Sequence, residues 1–293
     1  MRDWPPITEP ELLERLALDD EQFAAFVWKL IAAWPRREFD PAAFEHALGY
    51  PWERPPGSYI LSGDDVALLR DVDPAKREST VVAFTEERHP IVSFGANASP
   101  ARLAMKFKHF PSERDREVLV LTGDLHDLDV GAVPSVPLLG YMPASLFASP
   151  GTAVRAAVIW VTPAQVEQLA WSEMTYRLGR LEQARFAVDE AALEIDDLFA
   201  FVARLGAFCI DGAPVALAAI PATNRTAAAL TQAELLDVVA RLVLGPDAHA
   251  EHLMRAACDD MPAVMARAAR TVWPCGQQLA SRWTPFPAAG SRR

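Results

Sequence analysis

IVSFGANASPARL, residues 91–103, decides how the rest of the chain is read. An apolar, β-branched run ends at Phe94. Gly95 permits a sharp backbone turn, and Asn97 tolerates unusual dihedrals. Ser99-Pro100 then opens a helix carrying Leu103, Met105 and Phe107. Such a strand–turn–helix gathers backbone N–H groups and the positive end of a helix dipole around one concavity, which suits a carboxylate. Many strand–helix turns contain Gly and Asn without holding a ligand, so this stretch by itself does not establish a site.

Working outward, PIVSF (90–94) has neighbours of similar texture. TVVAF (80–84), EVLVLT (117–122) and AVRAAVIWV (153–161) are short, rich in Val and Ile, and read as strands. Ser149-Pro150-Gly151 reads as a hairpin turn, and a second hairpin is expected around Ser62-Gly63-Asp64. Helix starts are marked by capping boxes at Thr8 with Glu11, Thr162 with Gln165, and Thr231 with Glu234. Phe23, Phe26, Val27, Leu30 and Ile31 recur at helical spacing before Pro35. Asp40-Pro41 is a cap with proline at the first helical position, and Gly49 is the stop. YPWERPPGS, residues 50–58, reads as a turn-rich linker. Strands and helices mix without regular alternation, so the expected class is α+β.

The chain has 293 residues, 51% of them hydrophobic, enough for a sizeable core. Lys and Arg number 28 against 39 Asp and Glu, a net charge of −11. That balance argues against binding nucleic acid or an anionic membrane, since both need a cationic footprint. Three scattered cysteines, Cys209, Cys258 and Cys275, argue for reduced thiols rather than a disulfide framework. MRDWPPITEP shows no secretory leader, and LFAFVARLGAFCI (198–210) is too short and too interrupted to span a bilayer. A soluble cytoplasmic protein is expected.

The other informative stretch is VTPAQVEQLAWSEMTYRL, 161–178. A capped helix ends near Glu173, which lies among Trp171, Met174 and Tyr176. A carboxyl partly desolvated there would have a raised pKa and could act as a base near neutral pH. A solvated helix-end residue is the plainer alternative for this segment taken alone.

Three pieces in order change that balance: FGAN followed by SP and a helix, then LFASPGTAVRAAVIW (146–160), then a capped helix ending in Glu. Together they resemble the γ-glutamylcyclotransferase family over roughly residues 90–260. The family's Tyr-Gly-Ser-Asn loop is matched by Phe94, Gly95, Ala96 and Asn97, and its catalytic Glu by Glu173. The resemblance implies a small mixed β-barrel flanked by helices over 89–265. Residues 1–88 form a mainly helical extension with a hairpin, and 266–293 a C-terminal tail. It implies that amides of the 94–97 loop hold the substrate's carboxylate and that Tyr176 lines the substrate pocket. Glu173 would move protons while the substrate's amine attacks its own γ-carbonyl, giving 5-oxoproline and a free amine or amino acid. This is an acyl-transfer, lyase-type step on a small molecule of glutathione-related chemistry. It needs neither metal nor cofactor, because the nucleophile lies within the substrate. Phe94 and Ala96 lack the hydroxyls of the family loop, and Trp171 and Met174 are bulkier than the family's usual residues. A changed acyl-amine substrate, or an inactive anion-binding module, therefore stay open. The extension could complete the core, cover the site or form a homodimer contact.

Other clusters are weaker. Asp124, His126, Asp127 and Asp129 could hold a metal but read more simply as a solvated loop after a turn at Gly123-Asp124. His249 and His252 share a helix face without a third ligand. No serine-hydrolase elbow or phosphate-binding glycine loop is present. Tyr141 is a further candidate pocket residue.

Overall fold

Cap chemistry sets most helix starts. The computed structural model describes residues 2–136, 138, 140–173, 175–190, 194–279 and 282–287. Among them are helices α1 (Pro10–Ala17), α2 (Asp20–Ala32), α3 (Pro41–Leu48), α4 (Pro74–Thr85), α5 (Pro100–Phe107), α6 (Glu113–Arg116), α7 (Pro163–Ser172), α8 (Gln232–Leu244), α9 (Ala250–Asp259) and α10 (Met261–Thr271). Asp40 accepts from the amides of Ala42 and Ala43 at the head of α3, as expected. Thr162 and Thr231 close the capping boxes of α7 and α8. The first cap is displaced by one residue. Glu9 caps α1, while the Thr8 amide and hydroxyl donate to Glu167 on α7.

The strands are β1 (Tyr59–Ser62), β2 (Asp65–Leu68), β3 (His89–Ser93), β4 (Val118–Ala132), β5 (Ala144–Val161), β6 (Tyr176–Leu181), β7 (Phe186–Val188), β8 (Glu194–Ile195), β9 (Phe199–Ala203), β10 (Ala207–Ile210), β11 (Ala213–Pro214), β12 (Ala216–Leu217), β13 (Ala222–Thr223), β14 (Ala229–Leu230), β15 (Gly276–Gln277) and β16 (Trp283–Pro285). Thirteen of them join one mixed sheet along the path β14-β12-β4-β5-β3-β9-β6-β16. β3 runs parallel to β9 and antiparallel to β5. The class is α+β. Pairings among the described residues leave this path open at β14 and β16, so they do not close the small barrel that was expected.

Both faces of the central strands are buried, which is why they read as continuous apolar runs. Val92, Leu119, Val158 and Trp160 point into one layer, roofed by Leu235, Leu236 and Val239 of α8 and by Leu253 and Val264 of α9 and α10. Ile91, Val120, Ile159 and Phe199 point into the other, with Leu103 and Phe107 of α5 and Val166 and Leu169 of α7. The first 88 residues enter both layers: Ile31 and Tyr50 join the first, Leu12 and Tyr59 the second. The β1–β2 hairpin forms as expected, and β1 extends the sheet by pairing Tyr59 with Val120 of β4.

Three expectations are corrected. Residues 80–84 are not a strand but the last part of α4, because Asp73 caps that helix and Pro74 starts it. No residue of α4 is buried, and Val82 is exposed, so no core face selects an extended run. The stretch 123–129 is not a turn and solvated loop: β4 runs straight through it. Gly123 is there because a Cβ would stand 2.0 Å from the Ala187 carbonyl oxygen of the neighbouring strand. Likewise, 149–151 is not a hairpin but an irregularity inside β5. The β4–β5 register shifts between His126 and Leu128, with Asp127 (φ 60°) and Gly151 (φ 80°) in left-handed conformations. The Gly151 amide donates to Asp127 Oδ1 at 2.8 Å, which locks the bulge. At the C-terminus β16 pairs with β6, and residues 288–293 lie outside the described residues.

Candidate functional site

β3 ends at Ser93 with its side chains packed in both layers, and the chain then breaks direction through Phe94 and Gly95. A single 3-10 turn, Ala96–Ala98, leads into α5. The Phe94 ring is buried in the core. Gly95 is required by a close approach: a Cβ would stand 2.4 Å from the Tyr50 hydroxyl. The amides of Gly95, Ala96 and Asn97 donate to no protein group among the described residues.

α7 delivers the other half. Buried Val166, Leu169 and Ala170 seat it in the same layer as α5, and buried Gln165 donates to the Asp115 and Glu117 carbonyls at the head of β4. Glu173 is the C-cap residue of α7, its amide bonded to the Leu169 carbonyl. From there its side chain reaches the 94–97 turn. Asn97 Nδ2 donates to Glu173 Oε1 at 2.9 Å. Lys106 Nζ, from the last turn of α5, donates to the same oxygen at 2.8 Å and to Asn97 Oδ1 at 2.6 Å. Glu173 Oε2 receives no hydrogen bond from a described group. The Lys106 and Glu173 side chains are 14% and 17% exposed, so the pair is shielded without being sealed.

Asn97 and Glu173, picked out from the sequence, are thus in direct contact. Tyr176 follows Glu173 at the start of β6 and donates from its hydroxyl to the Ala144 carbonyl at 2.7 Å. The Ala144 amide donates in turn to the Tyr50 hydroxyl at 3.0 Å. Burial pushes the pKa of both tyrosines well above the ordinary tyrosine value, so both hydroxyls stay protonated in any working range. The Tyr141 ring stacks on Tyr50, with centroids 4.4 Å apart, and its hydroxyl is also pushed up by burial. Trp171 lies on α7 with the Arg15 guanidinium over its ring. Met174 lies outside the described residues.

Three contributors were missed in the sequence. Lys106 sits between Met105 and Phe107, where attention goes to the apolar stripe; its signal is Arg102 four residues earlier, which marks a cationic face beside that stripe. Tyr50 and Arg54 come from the stretch read as a linker. Arg54 Nη2 donates to the Phe94 and Gly95 carbonyls at 2.9 and 3.1 Å, holding the turn from behind. Burial pulls the Arg54 pKa below its usual value, and no described carboxylate pairs with it. Trp52 stands edge-on to both Tyr50 and Tyr141, with the Arg102 guanidinium 4.3 Å over its ring.

A cavity of about 460 Å³ lies beside this cluster rather than on it. Arg54 lines it, but Asn97, Lys106 and Glu173 do not.

The weaker candidates resolve as scaffold. Asp124 pairs with Arg155 at 3.0 Å, and Asp129, fully buried, is gripped by Arg225. The His249 and His252 rings lie 3.6 Å apart between centroids, tilted by 31°. Among the described residues no group of three or more His, Cys, Asp or Glu could hold a metal. No helix among them is long and apolar enough to cross a membrane. Compared with known proteins, the chain matches no protein-family model, no curated protein and no solved structure.

Proposed function

We propose that the chain is a γ-glutamylcyclotransferase-like enzyme, with Glu173 as the general acid and base. The observation that carries this reading is the Asn97–Glu173 contact of 2.9 Å across 76 residues of sequence. It joins two of the three segments on which the family resemblance rests.

In this reading the free amides of Gly95, Ala96 and Asn97 receive the α-carboxylate of a γ-glutamyl amide. Glu173 uses Oε2, while Asn97 and Lys106 hold Oε1 and fix the carboxylate plane. Oε2 accepts a proton from the substrate's α-ammonium. The freed amine attacks the γ-carbonyl, Glu173 gives its proton to the leaving nitrogen as that C–N bond breaks, and Glu173 then takes the second proton from the ring nitrogen and passes it to the released amine. The products are 5-oxoproline and a free amine or amino acid. Attack within one bound molecule supplies the proximity, so proton management is the enzyme's main chemical task. Phe94 serves through its backbone, and Tyr50 and Tyr176 through the Ala144 peptide they hold.

The test is a panel of γ-glutamyl compounds with 5-oxoproline as the readout. Glu173→Gln should lower turnover by about 10²-fold or more with the fold retained. A fully active Gln variant rejects the role of Glu173. A second reading keeps the fold and changes the acyl-amine substrate; the aromatic wall of Tyr50, Trp52 and Tyr141 favours it. It would show as Glu173-dependent release of an amine with no 5-oxoproline formed.

A further inference from the structure

We infer that the cavity behind the 94–95 turn is a binding site for a small monocarboxylate with an apolar body, held by Arg54. The argument begins with which charges there are already spent. Arg155 Nη1 donates to Asp124 and Asp189, and its Nη2 to Asp189. Asp189 also accepts from the Thr122 hydroxyl, at 3.1 Å. Both carboxylate oxygens of Glu190 are taken by Ser58, one by its amide and one by its hydroxyl. Arg54 is different. Only its Nη2 is engaged, and by two neutral carbonyls. Its Nε and Nη1 donate to no described group, and Arg54 lines a cavity of about 460 Å³. A half-buried guanidinium with unused donors and no counter-ion is an incomplete ion pair, and a carboxylate that accepts from Nη1 or Nε completes it with a charge-assisted hydrogen bond.

The remaining walls select the rest of the ligand. Pro51, Trp52, Pro55, Pro221 and Ile220 give the cavity apolar sides. Glu190 also lines it, its oxygens held among the described residues by the neutral Ser58 alone, and its charge opposes a second negative group on the ligand, which disfavours phosphate and dicarboxylates. None of the residues assigned to proton transfer lines this cavity, so the site does not depend on the cyclisation reading.

Calorimetric titration of the full chain with phenylacetate tests it, with phenylacetamide as the neutral isostere and inorganic phosphate as the divalent control. Saturable binding of phenylacetate is expected, with the amide and phosphate each about tenfold weaker or worse. Arg54→Gln should weaken phenylacetate by about tenfold or more. Because Arg54 also braces the 94–95 turn, Ala219→Trp is the second arm: it fills the cavity from an exposed position and leaves Arg54 in place. Loss of binding in Ala219→Trp supports the site. Equal binding of acid and amide, unchanged binding in Ala219→Trp, or no saturable binding of phenylacetate overturns it.

Discussion

Two carboxylates in this protein each meet a cation, and they are used in opposite ways. Asp129 is wholly buried, and its bonds close on themselves. Arg225 Nε and Nη2 take one oxygen each at 2.8 Å, and the Val130 amide also donates to Oδ1. Glu173 has both of its donors, Asn97 and Lys106, on the same oxygen, with the other left over. The contrast teaches that saturation, more than the presence of an ion pair, separates scaffold from candidate chemistry. A carboxylate with both oxygens committed holds structure, whereas one fixed through a single oxygen is oriented and still available.

The sharpest way to break this contrast is Asp129→Ala. It strands the Arg225 guanidinium in the interior and should cost about 3–5 kcal/mol by chemical denaturation. A loss below about 1 kcal/mol would mean that Asp129 is no more structural than Glu173. Next in size is Gly95→Ala, whose new methyl collides with the Tyr50 hydroxyl. It should cost about 1–3 kcal/mol through forced displacement at the open site, read from the same denaturation curves. Lys106→Met removes one of the two donors on Glu173. For a pair exposed at the 14% and 17% level, the loss should fall between the surface and buried limits, about 1–2 kcal/mol. A larger loss than for Asp129→Ala would invert the comparison.

The mildest effect is a pH one, on the strand that feeds the open site. Burial first, and the nearby Arg2 second, lower the pKa of His89 on β3 below its usual 6.5. The unfolded chain then takes up the proton more readily than the folded one. Stability should therefore fall as pH drops through about 6.5 towards the folded pKa, and return on raising it. Comparing denaturation midpoints at mildly acidic and neutral pH checks this, and His89→Phe should flatten the slope.

What could be read in advance was what local chemistry decides. Asp40-Pro41, Thr162 with Gln165 and Thr231 with Glu234 satisfy backbone donors a few residues away, so their caps are visible in the sequence. Asn97 and Glu173 emerged only because three separate motifs were weighed together. The failures share a different cause. The bulge at Asp127 shifts the two-residue alternation of β4 in mid-strand, so Asp124, His126 and Asp129 look like a polar loop. Val81, Val82 and Phe84 resemble a strand, but no neighbouring strand claims them, and the Asp73 cap wins. Tyr50 and Arg54 owe their roles to partners more than 39 residues further on, and prolines around them disguise a packed segment as a connector.

The grip of Tyr50 on Ala144 and of Arg54 on Phe94 and Gly95 has a consequence for synthesis. A chain leaving the ribosome exposes its first helices long before the peptide planes they must brace have been made. Tyr50 waits for Ala144, and Ala144 in turn for Tyr176, so the wall around Glu173 cannot set until more than half of the polypeptide has emerged. During that interval Tyr50 and Trp52 present bare aromatic surface to solvent.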